Sequence, residues 1–266
     1  MIHLFLSPHF DDAPLSCGGT IHQLVQAGKK VVVRAVMGGV PRMDKLPDTP
    51  VIQELHTRWE RGENPVKARI EEDEKAVALL GADYERMSIW MDCIYRTSRS
   101  GTPLYSSWES VFKEIHPDDP AGQLAPLVVL PPEEPLTCIY APLGAGQHVD
   151  HQIVRNWGLM LKRYTPWVAL KFYEEYPYTE DLQAVGQAMS YFENLEPAPQ
   201  MTLETRSLTE ADVQAKIDAI ACYGSQISSF WKGLPEMETA TRAALIRAGG
   251  GTAGERYWVW GQGLKV

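Results

Sequence analysis

Two short stretches hold the groups on which a reaction can run. His9, Asp11 and Asp12 fall within Ser7-Pro8-His9-Phe10-Asp11-Asp12, and His148, Asp150 and His151 within His148-Val149-Asp150-His151. Imidazoles and carboxylates ligate divalent metals and exchange protons near neutral pH. One imidazole and two carboxylates beside an uncharged apolar run (residues 2–6) need a partner, and a divalent cation is the obvious one. His148 and His151 are three apart, so at the start of a helix they face one way. One of them, with His9 and one aspartate of the first stretch, makes a two-histidine, one-carboxylate set with open positions. Catalytic zinc and non-haem iron sites commonly use that set. The competing reading of the first stretch is a solvated loop in which Asp12 caps the next helix.

The elements around these stretches suit the first reading. Residues 2–7 read as a buried strand, followed by a helix from near Pro14 with Ile21, Leu24 and Val25 as its apolar stripe and Gly28 as its end. Residues 31–37 are a β-branched run typical of a parallel strand. Residues 38–65 show no clear period and read as a long loop. A helix over 66–80, a strand over 84–90, an irregular segment over 91–120, a strand over 137–141, a helix over 149–162 and a strand over 168–173 follow. Residues 121–131 fit a short helix or a strand equally well. Strands alternating with helices predict an α/β fold, a Rossmann-like, mostly parallel sheet with helices on both faces. Such sheets bind their ligands at the C-terminal strand ends, where both motif stretches would lie. Residues 176–266 lack that rhythm and read as a C-terminal elaboration of one domain spanning 1–266. Within them Thr209 and Asp212 form a variant capping box opening a helix to about Cys222, and 256–260 form a strand.

The totals narrow the class. The 266 residues carry a net charge of −9, which argues against a nucleic-acid or anionic-membrane partner. No apolar run approaches the roughly 18 residues that span a bilayer. The N-terminus lacks a basic leader, so the expectation is a cytoplasmic protein. Cys17, Cys93, Cys138 and Cys222 form no C-x-x-C pair and read as reduced thiols. No G-x-G-x-x-G follows the first strand, and carboxylates there would repel a pyrophosphate, which disfavours a nucleotide site.

Pro8-His9-Phe10-Asp11-Asp12, then Gly18-Gly19-Thr20-Ile21, and later His148-Val149-Asp150-His151, together resemble the LmbE-like (PIG-L) family of zinc-dependent deacetylases. That resemblance implies a Rossmann-like fold, a Zn2+ cofactor, and removal of an acyl group, usually acetyl, from an amino-sugar nitrogen in a small-molecule substrate or glycoside. Arg69-Ile-Glu-Glu72 is similar to the family's Arg-x-x-Glu helix, and Asp92 stands where the family often places a sugar-contacting aspartate. Asp92-Cys-Ile-Tyr-Arg96 and Tyr223-Gly-Ser-Gln226 look most like the branch acting on glycopeptide-antibiotic pseudoaglycones. The resemblance implies His9, Asp12 and His151 as zinc ligands, Asp11 as general base, and His148 as the electrophilic or acid group. It also implies Asp150 as a residue that orients His148 or holds the loop, with Arg69 and Asp92 on the substrate. Phe10, Ala13 and Val149 depart from the Pro, Glu and Pro of many members, but none removes a ligand or the base.

Other residues have plain competing readings. Arg69 also fits an intrahelical pair with Asp73. Asp92, Tyr95 and Arg96 read together as a pocket lining. Arg58, Trp59 and Arg61 read as ordinary loop before a cover for a sugar ring or an anionic group, and the segment 173–178 as pocket wall or packing. A non-catalytic, metal-binding member of the same fold is the alternative function, disfavoured by the presence of both Asp11 and His148.

Overall fold

A computed structural model describes residues 1–59, 64–123 and 135–261. Its strands are β1 (Ile2–Ser7), β2 (Lys30–Ala35), β3 (Asp83–Arg86), β4 (Leu136–Pro142), β5 (Ala169–Tyr173), β6 (Met201–Ser207) and β7 (Gly254–Trp260). The helices are α1 (Asp12–Gln26), α2 (Pro50–Trp59), α3 (Pro65–Leu79), α4 (Trp108–Val111), α5 (Pro120–Gln123) and α6 (Val149–Tyr164). They continue with α7 (Leu182–Glu193), α8 (Glu210–Ile220), α9 (Gly224–Phe230) and α10 (Leu234–Ala248). The strands form one sheet in the order β3-β2-β1-β4-β5-β7-β6. β1 to β5 are parallel, while β7 and β6 pair antiparallel.

The alternation of β1 explains the two-sided core. Leu4 and Leu6 pack on one face with α6 and α7 residues such as Trp157 and Phe192, and Phe5 packs on the other with Ile21 and Ile217. The chain leaves β1 toward β2 and β3 on one side and returns as β4 and β5 on the other. β1 and β4 therefore flank the point where strand order reverses, and the loops after them face each other.

The start of α1 decides what the first motif can do. Ser7 Oγ accepts from the Ala13 amide at 2.9 Å and donates to the His9 carbonyl at 2.7 Å. Asp11, at the N-cap, makes no side-chain capping bond. Asp12 turns back to accept the His9 amide at 2.8 Å, so the reading of Asp12 as a helix cap is not what forms. Ser7 takes that duty and leaves both aspartates for the site. Farther along α1, a Cβ on Gly19 would stand 2.4 Å from Leu208, and one on Gly18 3.0 Å from Lys216, so this pair lets α8 approach.

Three expectations need correction. The supposed loop 38–65 contains α2, whose Val51, Ile52 and Trp59 are buried against the third core cluster, next to Phe10 and Tyr95. With Leu55 these positions do recur at helical spacing, a signal set among the Pro and Gly residues that make the stretch read as loop. β3 is four residues, not seven, because the chain turns away to bridge Gly38 through Met91. The C-terminal residues do have regular elements, and β7 and β6 complete the sheet; β6 is half-exposed throughout and so shows no apolar signature. The Thr209–Asp212 capping box forms as read. Of the undecided segment 121–131, residues up to Gln123 belong to α5 and the rest lie outside the described residues, as does Arg61.

Candidate active site

The two motif loops meet over β1 and β4. His9 Nδ1 lies 3.3 Å from Asp12 Oδ2, and His151 Nε2 lies 3.3 Å from the same oxygen. A cation with tetrahedral bonds of about 2.0–2.1 Å separates its ligand atoms by about 3.3–3.4 Å, so both spacings suit one zinc-sized ion. His151 is fully buried, and its Nε2 has no hydrogen-bond partner. A buried ring nitrogen left without a partner beside a carboxylate fits a cation ligand.

The outer nitrogen of each ring is tied from behind. His9 Nε2 meets Asp150 Oδ2 at 2.9 Å, and His151 Nδ1 meets Glu175 Oε1 at 3.2 Å. Metal-ligating histidines characteristically give their second N–H to a carboxylate, which fixes ring orientation and tautomer. Asp150 also accepts the Cys93 amide and is ion-paired with Arg96, which in turn reaches Asp119 at 2.9 Å. Glu175 accepts the amides of Gly144 and Ala145 at 2.6 and 3.2 Å, seating its charge in the turn that delivers His148. The Asp150 carboxylate therefore faces His9 rather than His148, and it also contacts Cys93 and Arg96. Arg96 lies behind the site and does not line the pocket.

Other groupings are within reach of one ion. His9, His148 and His151 each bring a nitrogen within 4.8 Å of the others, as do Cys93, His148 and Asp150, and the donor atoms of His9, Asp92 and Asp150. They fit less well. His148 Nδ1 is occupied by the Asp150 amide at 3.2 Å, burial pushes the Cys93 thiol up, and Arg96 neutralises Asp150.

Charge follows this arrangement. Burial disfavours the carboxylate of Asp12, but His151 and His9 hold it well below the usual range. Burial likewise opposes charge on the two rings, yet Asp12 and Glu175 hold His151 up to about 9, and Asp92, Asp12 and Asp150 raise His9. Four carboxylates around two imidazoles thus favour positive charge at this spot. His148 differs: burial and the neighbouring His9 hold it well below the ordinary imidazole value. Since its Nδ1 accepts an amide, the proton of the neutral ring is assigned to Nε2.

Asp11 stands beside this cluster, 7% exposed. Arg69 donates to the Phe10 carbonyl at 3.0 Å, approaches Asp11 Oδ2 at 3.5 Å, and stacks 4.6 Å over Trp59. It forms no pair with Asp73, which instead accepts the Asp11 amide at 3.2 Å. Burial pushes Asp11 up to about 8, with Arg69 pulling the other way. A small pocket opens next to His9, lined by Phe10, Met37, Trp59, Arg69, Asp92 and Tyr95 among others. Asp92 caps the Ile94 amide at 3.2 Å and leaves its second oxygen 3.8 Å from His9 Nε2.

Sequence reasoning assigned no role to Glu175, Asp119 or Asp73. Glu175 had a usable signal, a carboxylate just past a strand end at the same sheet edge. Asp73 and Asp119 had none, since their partners come from distant segments. His22 and His56 lie outside this cluster and face Asp212 at 2.8 Å and Tyr95 at 2.7 Å.

A sequence profile of the GlcNAc-PI de-N-acetylase family, PIG-L, matches residues 4–161. The 2'-N-acetylparomamine deacetylase of Niallia circulans is 28% identical over 187 residues, 66% of this chain and 66% of that protein. The fold superimposes on the zinc-inhibited form of teicoplanin deacetylase with a TM-score of 0.80, at 23% identity over 100% of both chains. It also superimposes on an antimicrobial-reagent pseudoaglycone deacetylase with a TM-score of 0.69, at 24% identity over 97% of this chain and 96% of the other. The profile covers the greater part of the chain and both loops of the site, and the chain belongs to the PIG-L family.

Proposed function

We propose that the protein is a zinc-dependent hydrolase that removes an N-acyl group, acetyl foremost, from an amino sugar or an amino-sugar glycoside. His9, Asp12 and His151 hold the ion in this reading. The observation that carries it is Asp12 Oδ2, 3.3 Å from the inner nitrogens of two histidines whose outer nitrogens are held by buried carboxylates. The family and the acetyl-sugar substrates named for its relatives support the reaction class. The four free cysteines support a cytoplasmic setting.

When bound, the cation acidifies a water molecule and polarises the acyl carbonyl. Asp11 accepts the proton of the attacking water, since its carboxylate does not cap α1 and stands beside the histidine cluster. His148 donates from Nε2 to the carbonyl oxygen as negative charge develops there. Held neutral, His148 is a poor proton store, so Asp11 carries the proton on to the leaving amine. Arg69 and Asp92, on the pocket wall beside His9, contact substrate hydroxyls.

The test is acyl release from a panel of N-acyl glucosamine conjugates, read together with zinc content. Asp11→Asn keeps zinc and loses about 10²–10⁴ in kcat. Wild-type turnover in that variant, or no release of any acyl group by the wild type, refutes the reading.

A further inference from the structure

Asp11 has φ of 102°, and only it and Gln147 are positive-φ non-glycine residues among those described. That conformation is disfavoured for an aspartate and persists only where neighbours hold it. The Asp11 amide donates to Asp73 Oδ1 at 3.2 Å, and the same oxygen accepts the Tyr223 hydroxyl at 2.6 Å. Asp73 is fully buried and Tyr223 is 1% exposed; the Tyr84 hydroxyl also faces Asp73 but forms no hydrogen bond of normal geometry, as the second Asp73 oxygen does not. Tyr223 thus supplies the tightest restraint on the carboxylate that fixes the Asp11 backbone. It opens the segment 223–226, beyond the matched span 4–161. The same segment reaches Arg69: with its amide oriented to satisfy its neighbours, Gln226 accepts from Arg69 Nε at 3.2 Å and Trp59 Nε1 at 3.1 Å. Ser225 ties the segment to α3 through Glu72, its amide donating at 2.9 Å. One short C-terminal stretch therefore braces both the backbone of Asp11, through Asp73, and the guanidinium beside its carboxylate.

We propose that Tyr223 is a positioning residue for Asp11, its hydroxyl fixing the Asp73 carboxylate and Asp73 holding the Asp11 backbone in its left-handed conformation. The proposal rests on Asp11 being the base.

The experiment uses the full chain loaded with zinc, acetate release from an N-acetylglucosamine conjugate, and hydrogen exchange at the Asp11 amide. In Tyr223→Phe the Asp11 amide exchanges about tenfold faster and kcat falls about tenfold, while KM and zinc affinity stay within twofold. Ile220→Val, a core loss on α8 that leaves the Tyr223 hydroxyl and the Ile220 carbonyl that accepts its amide in place, changes neither exchange at Asp11 nor kcat. Unchanged exchange or unchanged kcat in Tyr223→Phe overturns the proposal, as does an equal loss in Ile220→Val. Asp11→Asn separates the two readings. If it retains wild-type turnover the base assignment fails, and the exchange measurement alone still decides whether Tyr223 holds Asp11.

Discussion

Asp12 Oδ2 faces three nitrogens, the His9 amide and one ring nitrogen of each of two histidines. Its loss disperses the whole cluster, so Asp12→Ala or His151→Ala abolishes stoichiometric zinc; full occupancy in either, measured by metal analysis after dialysis, contradicts the assignment. Zinc binding must also displace protons. In the metal-free protein His151 is held up to about 9, against about 6.5 for a free imidazole. Its protonated ring stabilises the metal-free fold fully below about pH 6.5, and that contribution fades as pH rises through about 9. Zinc affinity therefore climbs between pH 6.5 and 9, about tenfold per pH unit for each proton displaced. Chelator competition at pH 6.5, 7.5 and 8.5 reads this directly, and a flat profile contradicts it.

The hinge between β1 and α1 converts a strand end into a site. Ser7 alone supplies the helix-capping oxygen and also fixes the His9 carbonyl. Ser7→Ala should cost about 1 kcal/mol in urea unfolding and weaken zinc binding beyond what that stability loss explains. Wild-type zinc affinity would confine Ser7 to capping. The Gly18-Gly19 pair has an element-level cause as well: α8 crosses α1 there, with the Leu208 side chain just before it filling the space a Gly19 Cβ would need. Gly19→Ala is expected to destabilise by about 1–3 kcal/mol through overpacking. α2, in turn, brings Trp59 under Arg69 and so builds one wall of the pocket.

The molecule is closed by its C-terminal third. Lys216 on α8 and Glu255 on β7 pair at 2.8 Å, both 2–3% exposed, and Glu255 also accepts the Gly19 and Thr20 amides of α1. This buried pair couples the outer strands to the helix that begins with Asp12. Lys216→Met leaves Glu255 buried without its cation and should cost about 3–5 kcal/mol in denaturant unfolding. A loss below about 1 kcal/mol would show that Glu255 is satisfied by the α1 amides alone. The same C-terminal third supplies Tyr223 and Gln226 to the site. Asp11 and its supports thus come from both ends of the chain.

The six residues of the two motif stretches were legible because local order suffices for them: a strand end, a short loop, a helix start. The parallel core was legible for the same reason, since burial on both faces writes continuous apolar runs into β1, β2 and β4. Their division of labour needed the tertiary structure. Which oxygen faces which ring depends on the register of β1 against β4, and whether Asp12 caps a helix depends on the Ser7 hydroxyl. Asp150 serves His9 because the His148 ring turns onto the Asp150 amide and leaves the carboxylate facing the first loop. Asp73 and Asp119 carry no local signature, because a buried carboxylate acquires its role only from partners brought together by folding.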